Sequence, residues 1–332
     1  MDSENYVNPY SGQNFAGFFV ELAFRIFSFF SGGISSENLT TDEVQVLVLA
    51  GVSISSALVG TFLVLRKMTM LANSLSHTIL LGIVIAFLWT YGIAGSSSSS
   101  SSQEIGIHIL LLASFIMGLI TAFLTELLVK GVRLQEDAST GIVFTSLFAL
   151  GVIAVTLLTR NSHIGTEAVM GNADALQFSD FKLVFFVLVL NLILFLTFFK
   201  EFKITTFDPG LAKSFGIPPA LFSYLLMTQV SFTSIAAFRA VGVLMVLAFI
   251  TGPPLTARLL TGSLKKMLLI SVLTGILASL TGVALSRHIL TVYGMSLSTG
   301  GIVVCVIVVF YLAAAVYANQ HILLRKFKSN RN

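Results

Sequence analysis

The residues best suited to chemistry lie inside one hydrophobic run, "MTMLANSLSHTIL", which spans residues 68 to 80. Ser76 and His77 follow Asn73 by three and four residues, so an α-helix places the three side chains on one face, together with Thr69. A neutral imidazole is a common ligand for transition metals. Polar groups within a bilayer are costly unless they face a partner, a cavity or a path. The stripe therefore raises the hypothesis of a metal path, although spacing alone favours hydrogen bonding across a helix interface, because isolated histidines within membranes are often structural.

The elements that position this stripe must be membrane helices. The chain has 332 residues, of which 55% are hydrophobic and 10% are charged, with a mean hydropathy of +0.93. This composition is typical of a polytopic membrane protein. A spanning helix needs about 20 mostly apolar residues. We therefore predict an all-α transmembrane bundle of about nine spans, with a range of eight to ten. The predicted spans are 44–65, 69–91, 105–129, 139–159, 181–199, 219–237, 240–260, 266–286 and 297–318.

The distribution of basic residues orients these spans. If Arg66 and Lys67 are cytoplasmic, alternation places 14 of the 19 basic residues on the same side, as the positive-inside bias requires. This count requires two spans between 219 and 260, separated by a turn around Arg239, and it predicts a cytoplasmic C-terminus. The basic residues flank apolar segments and form no dense patch, so we predict no nucleic-acid partner. Cys305 is the only cysteine, which excludes an intramolecular disulfide.

The sequence divides into three parts. Residues 1–42 form a polar N-terminal segment with a predicted interfacial amphipathic helix at 15–30, for which a tenth span is the alternative. Within it, Glu21 and Arg25 have i,i+4 spacing. Residues 43–320 form the transmembrane domain, and residues 321–332 a basic cytoplasmic tail. The serine run at 96–102 predicts a flexible external loop.

A loop between the fifth and sixth spans, "TTFDPGLAKSFGIPPAL", carries helix start and stop signals. Asp208 can cap the helix and Pro209 suits its first position, whereas Gly216 can end it in a left-handed conformation and Pro218 prevents its continuation. These signals predict a cytoplasmic helix of about two turns. They suggest a rigid docking element, and a plain connector is an equally open alternative from the local sequence.

Two acidic residues, Glu136 and Asp137, stand at the cytoplasmic start of the fourth predicted span. Carboxylates at a helix N-terminus cap it and interact favourably with its dipole. This position favours a structural role over that of a metal exit ligand.

Four segments in order resemble one family. They are "FLVLRKMTMLANSLSHTILLGIVIAF", "LQEDASTGIVFTSLFALG", "FDPGLAKSFGIP" and "AVGVLMVLAFITGPPLTARLLT", within a match from about Leu58 to about Ile289. Together they are similar to the membrane subunits of bacterial metal-ion ABC importers for zinc, manganese or iron(II), the ABC-3 type permease family. The chain has no G-x-x-x-x-G-K-[ST] phosphate loop of its own.

The resemblance implies a permease that pairs with a second copy or a related permease and passes the ion along the central interface by alternating access. The aspartate and histidine that line the family's path correspond here to Asn73 and His77, with Ser76 beside them. Asparagine offers a neutral carbonyl oxygen in place of a carboxylate, so a lower affinity for a divalent ion is expected. The chain also has Leu81 where the family often has proline, and Ala72 where it often has glycine.

The resemblance also implies partners. A cytoplasmic ATP-binding subunit would dock on the loop helix, and an extracytoplasmic metal-binding protein would deliver the ion. The implied ATPase coupling residues are Asp208, Leu211, Ala212, Phe215 and Gly216. The candidate external metal ligands are His163 and Glu167, with Asp174 and His288 also available. The implied protein is a multi-pass transport subunit of the bacterial cytoplasmic (inner) membrane, not an enzyme, with no permanently bound cofactor.

Two alternatives stay open from the residues. One is an ABC permease for a metal chelate or a corrinoid, which would need a wider path without convergent histidines. The other is an intramembrane enzyme, since "GMSL" around Ser296 faintly resembles the G-x-S-x of rhomboid proteases. That chemistry would require a histidine base positioned against the serine.

Overall fold

The structure, a computed structural model, describes residues 9–10, 12–31, 40–70, 72–74, 78, 81–82, 84–85, 107–159 and 173–329. Helices dominate this part of the chain, and it contains no strand. Scattered residues of the second predicted span are also helical, at 69–70, 72–74, 78, 81–82 and 84–85. A 3₁₀ turn covers Ala173–Ala175. The α-helices are α1 Phe15–Phe30, α2 Thr41–Arg66, α3 Ile107–Gly131, α4 Glu136–Thr159, α5 Phe178–Thr197, α6 Phe199–Phe207, α7 Pro209–Ser214, α8 Pro219–Val241, α9 Val243–Leu260, α10 Leu264–Tyr293 and α11 Thr299–Ser329.

Helix α2 lies at the centre of the bundle. It contacts α5, α8, α9 and α10, and most of its side chains are buried. Its apolar residues surround the helix and leave no polar face, which is the pattern of a helix covered on all sides. Near its C-terminus, the Phe62 ring stacks on Phe195 of α5, with centroids 5.0 Å apart. Of the described residues in the second predicted span, Thr78 contacts α3, where Thr121 donates a hydrogen bond to its hydroxyl at 3.2 Å.

Glycine permits the closest helix contacts around α2. A Cβ atom added to Gly60 would lie 2.0 Å from the Ile250 carbonyl oxygen of α9. A Cβ atom on Gly275 of α10 would lie 2.0 Å from the Ser53 hydroxyl of α2. Small residues let helix backbones approach closely in membranes, where lipid offers no hydrophobic drive for association. These two glycines therefore set the spacing of α2 from α9 and α10.

Each predicted span overlaps helical residues in the part of the chain that the structure describes. Within the described residues, six helices are long and apolar enough to cross a membrane, and 138–154 forms a shorter apolar helix. The six are Thr41–Arg66, Asp180–Thr197, Pro219–Phe238, Val243–Leu260, Leu264–Tyr293 and Thr299–Gln320. The total of nine spans stays a prediction. Helices α8 and α9 are separate, as predicted, but the break lies at Gly242, with φ 83°, because α8 continues past Arg239 to Val241.

The N-terminal helix α1 is folded onto the bundle. It packs against α10, and Phe18 and Leu22 are buried. The sequence places Arg25 one turn from Glu21, but in the structure Arg25 forms an ion pair with Glu43 of α2. The interfacial position of α1 and the three domain boundaries stay predictions. Helix α11 continues through Ser329, so most of the predicted tail is helical; the serine run lies outside the described residues.

Candidate functional site

The predicted metal path is described at one of its three residues. Asn73 is half-buried, between the buried residues Ala72 and Ser74. Ser76 and His77 lie outside the described residues. Among the residues that are described, no three or more His, Cys, Asp or Glu side chains gather as a metal site would require. The spacing argument for the path therefore stays a prediction.

A polar cluster that sequence reasoning missed ties α2 to α5 and α8. The side-chain nitrogen of Asn191 donates to the Ser55 hydroxyl at 2.6 Å and to the Thr233 hydroxyl at 2.7 Å. The two hydroxyl oxygens lie 3.2 Å apart, and all three residues are buried. A lone asparagine in the apolar run "VFFVLVLNLILFL" was the available signal. Such bonds hold membrane helices together, so this cluster fixes how the three helices pack.

The short helix α7 has the local structure that its sequence predicts. The Asp208 carboxylate accepts a hydrogen bond from the Leu211 backbone N–H at 2.9 Å, and Pro209 is the first helical residue. At the other end, Gly216 has a φ of 74°, and the Ile217 N–H donates to the Ala212 carbonyl at 2.9 Å. These contacts form a Schellman termination. Both ends of this six-residue helix are thus fixed by their own sequence.

The side chains of α7 divide into a buried and an exposed set. Ala212 is fully buried, so it faces the bundle. Leu211 is 47% exposed and Phe215 is 67% exposed. Gly216 is also exposed, with open space where a Cβ atom would lie. An exposed apolar pair on a rigid helix is typical of a contact surface, and of the predicted coupling residues Leu211 and Phe215 offer the largest apolar area for one.

Basic residues gather at the end of the bundle that carries α7, which we name the basic end. Arg66, Lys67, Lys130 and Lys213 line one cavity of about 810 Å³ there. All four belong to the set that the sequence places on the cytoplasmic side. Glu126 also lines this cavity and forms an ion pair with Lys130. The positive-inside argument places these residues only on the same side of the membrane. The structure shows in addition that residues from α2, α3 and α7 line one cavity.

Arg66, the last residue of α2, joins three elements at the basic end through hydrogen bonds. Its Nε donates to the Thr206 hydroxyl at 3.0 Å, and its Nη2 donates to the Thr205 hydroxyl at 2.9 Å. Its Nη1 donates to the Ser223 hydroxyl in the first turns of α8, at 2.9 Å. One guanidinium therefore joins the end of α2 to α6 and α8.

At the opposite end, Glu43 anchors the N-terminal segment to α2. Glu43 and Thr40 form a capping box: the Thr40 N–H donates to the carboxylate at 2.9 Å. The same carboxylate accepts from the Tyr10 hydroxyl at 2.9 Å and pairs with Arg25. Burial, together with the Glu43 carboxylate, raises the pKa of the Tyr10 hydroxyl above its ordinary value. The network holds Tyr10 and Arg25 of the N-terminal segment against the first turn of the central helix.

A second cavity, of about 460 Å³, opens beside this network. Asp42, Gln45, Asp174, Arg287 and Ser296 contribute to its lining. Asp42 pairs with Arg287 at 3.7 Å, and the Asp174 carboxylate accepts from the Thr299 N–H at 3.3 Å. Asp42 thus contacts an arginine and Asp174 contacts a backbone amide, and the two carboxylates are not arranged as ligands of one metal ion.

The remaining predicted residues are only partly placed. His288 lies near α1, with its ring centroid 6.5 Å from that of Phe15. The candidate external ligands His163 and Glu167 lie outside the described residues. Glu136 and Asp137 are the first two residues of α4, so both lie in the first turn of the helix, at the start where they were predicted. Their capping contacts stay a prediction.

Comparison with known proteins assigns the chain to a family. Residues 42–318 match the sequence model of the ABC 3 transport family. A Chlamydia muridarum protein named "Probable metal transport system membrane protein" is 40% identical over 321 residues, which cover 96% of this chain and 98% of that protein. The Bacillus subtilis "Manganese transport system membrane protein MntD" is 43% identical over 245 residues, covering 70% and 78%.

A solved structure agrees with this assignment. It is "PsaBC from Streptococcus pneumoniae in complex with Fab", with a TM-score of 0.67 and 27% identity, covering 87% of this chain and 95% of that one. The shared fold is the helical bundle described above. The chain belongs to the ABC 3 transport family and is a membrane-spanning transport subunit, not an enzyme.

Proposed function

We propose that this chain is the permease of an ATP-driven importer that moves a divalent transition-metal ion into the cytoplasm. The observation that carries the proposal is the capped helix α7 at the basic end, in a chain whose Chlamydia and Bacillus relatives are named for metal transport. The Bacillus relative's name makes manganese the first candidate cargo, with zinc and iron(II) as alternatives. The ion is cargo, so no resident cofactor is required.

The path proposed for the ion follows the second predicted span, past Asn73, Ser76 and His77. Two observations support this choice. Asn73 is half-buried, so this residue keeps some exposed surface on the single protomer. The polar cluster around Asn191, in contrast, is fully buried between helices of one protomer. A path that runs between two permease copies, or between this chain and a related permease, needs polar residues at the surface of the protomer, as at Asn73, and not buried ones, as at Asn191.

The partners follow from the two ends of the bundle. A cytoplasmic ATP-binding subunit docks on Leu211 and Phe215, since both are exposed and apolar on a helix with fixed ends. An extracytoplasmic metal-binding protein docks at the opposite end, where His163 and Glu167 are the proposed intake ligands. Helix α11 starts beside Asp174 at that end and runs towards the basic end, which supports a cytoplasmic C-terminus. The membrane is the bacterial inner membrane.

The test is uptake of radioactive manganese, zinc and iron(II) by cells that express the chain with its ATPase and binding protein. His77→Ala should abolish selective uptake, and Asn73→Asp should change it, because a carboxylate binds a divalent ion more strongly than an amide oxygen. His321→Ala is the matched control, since it removes a histidine near the C-terminus. Unaltered uptake in His77→Ala would refute the path. No uptake of any metal by an assembled complex that hydrolyses ATP would refute the cargo class.

A further inference from the structure

We infer that Arg66 is the positioning residue that transmits movement of α7 to the central helix α2. The inference rests on the proposed function, in which a cytoplasmic ATPase drives movement at α7. Helix α6 leads into α7 with only Asp208 between them. Two of the three hydroxyl groups that accept hydrogen bonds from Arg66 lie at the end of α6, on Thr205 and Thr206.

The Arg66 contact has the geometry of a rigid joint. Its three donated bonds of 2.9 to 3.0 Å use three different nitrogens of one planar group. Because the nitrogens of a guanidinium are fixed relative to one another, their acceptors on α6 and α8 are fixed relative to one another as well. A lysine ammonium presents its donors from one point and cannot reproduce this spacing. The contact therefore sets an orientation as well as a distance.

The acceptor side is itself held in place. The Thr205 hydroxyl donates to the Glu201 carbonyl at 2.8 Å, which leaves its lone pairs available to Arg66. Thr205 is buried, and the Arg66 bonds are partly buried, so they are shielded from water. Shielded hydrogen bonds are electrostatically stronger than solvated ones. A displacement of α6 thus meets resistance at Arg66 instead of being absorbed by side-chain motion.

Apolar packing alone would not carry the direction of movement. The Phe202 ring of α6 does contact Phe62 of α2, with centroids 5.6 Å apart, but hydrophobic contact is non-directional. Arg258 of α9 donates to the Val64 carbonyl at 3.3 Å, so α9 is joined to the same end of α2. Movement that reaches Arg66 therefore reaches α2, α8 and α9 together.

The test compares variants from both sides of the contact. Arg66→Lys keeps the positive charge but removes the planar guanidinium with its three donors, which we call the Arg66 fork. The double variant Thr206→Val with Ser223→Ala keeps the arginine but removes two of its hydroxyl acceptors. Lys203→Gln is the matched control, since it removes an exposed charge from the same helix α6. In proteoliposomes containing the permease, its ATPase and its binding protein, we measure manganese imported per ATP hydrolysed. Both fork variants should lower this ratio at least about fivefold, with assembly and ATP hydrolysis preserved.

A second readout needs no transported metal. In a Cys305→Ser background, Thr41→Cys places a thiol at the exposed far end of α2. Its maleimide labelling rate should change on trapping with ATP and vanadate, and this change should disappear when Arg66→Lys is added. An unchanged response in Arg66→Lys, or no response with Arg66 intact, would overturn the inference. A response that depends on Arg66, in a complex that imports none of the metals, would instead refute the proposed cargo.

Discussion

The exposed ring of Phe215 allows a quantitative prediction about ATPase docking. Phe215 is 67% exposed, on a residue held between the capped helix α7 and the left-handed Gly216. Of a phenylalanine surface of roughly 200 Å², about 130 Å² is then available to a partner. At about 25 cal/mol per Å², complete burial is worth about 3 kcal/mol. Phe215→Ala should therefore weaken binding of the ATP-binding subunit by roughly 30- to 150-fold, or about 2 to 3 kcal/mol.

The measurement is the affinity of the purified ATPase for the permease in lipid nanodiscs. Phe186→Ala is the matched control, because Phe186 is similarly exposed, at 64%, but lies within the apolar span α5. The control should bind as the unmodified chain does. Equal affinity for Phe215→Ala and Phe186→Ala would show that α7 is not the docking surface. Equal loss in both would point to damage of the fold.

Two further substitutions test the helix contacts and the end of α7. Gly60→Ala should lower the thermal unfolding midpoint, because its Cβ atom would lie 2.0 Å from a backbone oxygen and overpacking costs about 1 to 3 kcal/mol. Gly141→Ala, with open space at its Cβ position, should leave the midpoint unchanged or raise it; the reverse order would contradict the close-approach argument. Gly216→Val should impair co-purification with the ATPase, because its φ of 74° disfavours a β-branched residue, whereas Gly216→Asn should be tolerated. Normal co-purification and ATP hydrolysis with Gly216→Val would refute this role.

The parts of the fold that sequence reasoning predicted are those set by neighbouring residues. Helix α7 is the clearest case, since Asp208, Pro209 and Gly216 each act within a few residues of their own position. The spanning helices are also predictable, because each must have about 20 mostly apolar residues to cross the bilayer. Each segment meets this requirement independently of the others. The sequence predicts the break between α8 and α9 around Arg239, whereas the structure has it at Gly242, because the break requires a positive φ that glycine adopts readily.

The parts that the sequence did not predict depend on partners far along the chain. The hydroxyl acceptors of Arg66 lie 139 to 157 residues away, and Ser55 lies 136 residues from Asn191. A lone serine, threonine or asparagine in an apolar helix carries no local sign of which helix it will contact. The sequence likewise places Arg25 one turn from Glu21, although its ion pair is with Glu43. Tertiary packing decided each of these contacts.

The two proposals meet at the turn between α2 and the second predicted span. Lys67 has a φ of 62°, and the Met68 N–H donates to the Leu63 carbonyl at 2.9 Å, so the turn is closed by the backbone. Met68 is buried, which fixes the start of the helical segment that carries Asn73. Movement delivered to Arg66 thus needs to cross seven residues of chain to reach Asn73 in the proposed path. For this reason, loss of the Arg66 fork should reduce import while leaving α7, and therefore ATPase docking, intact.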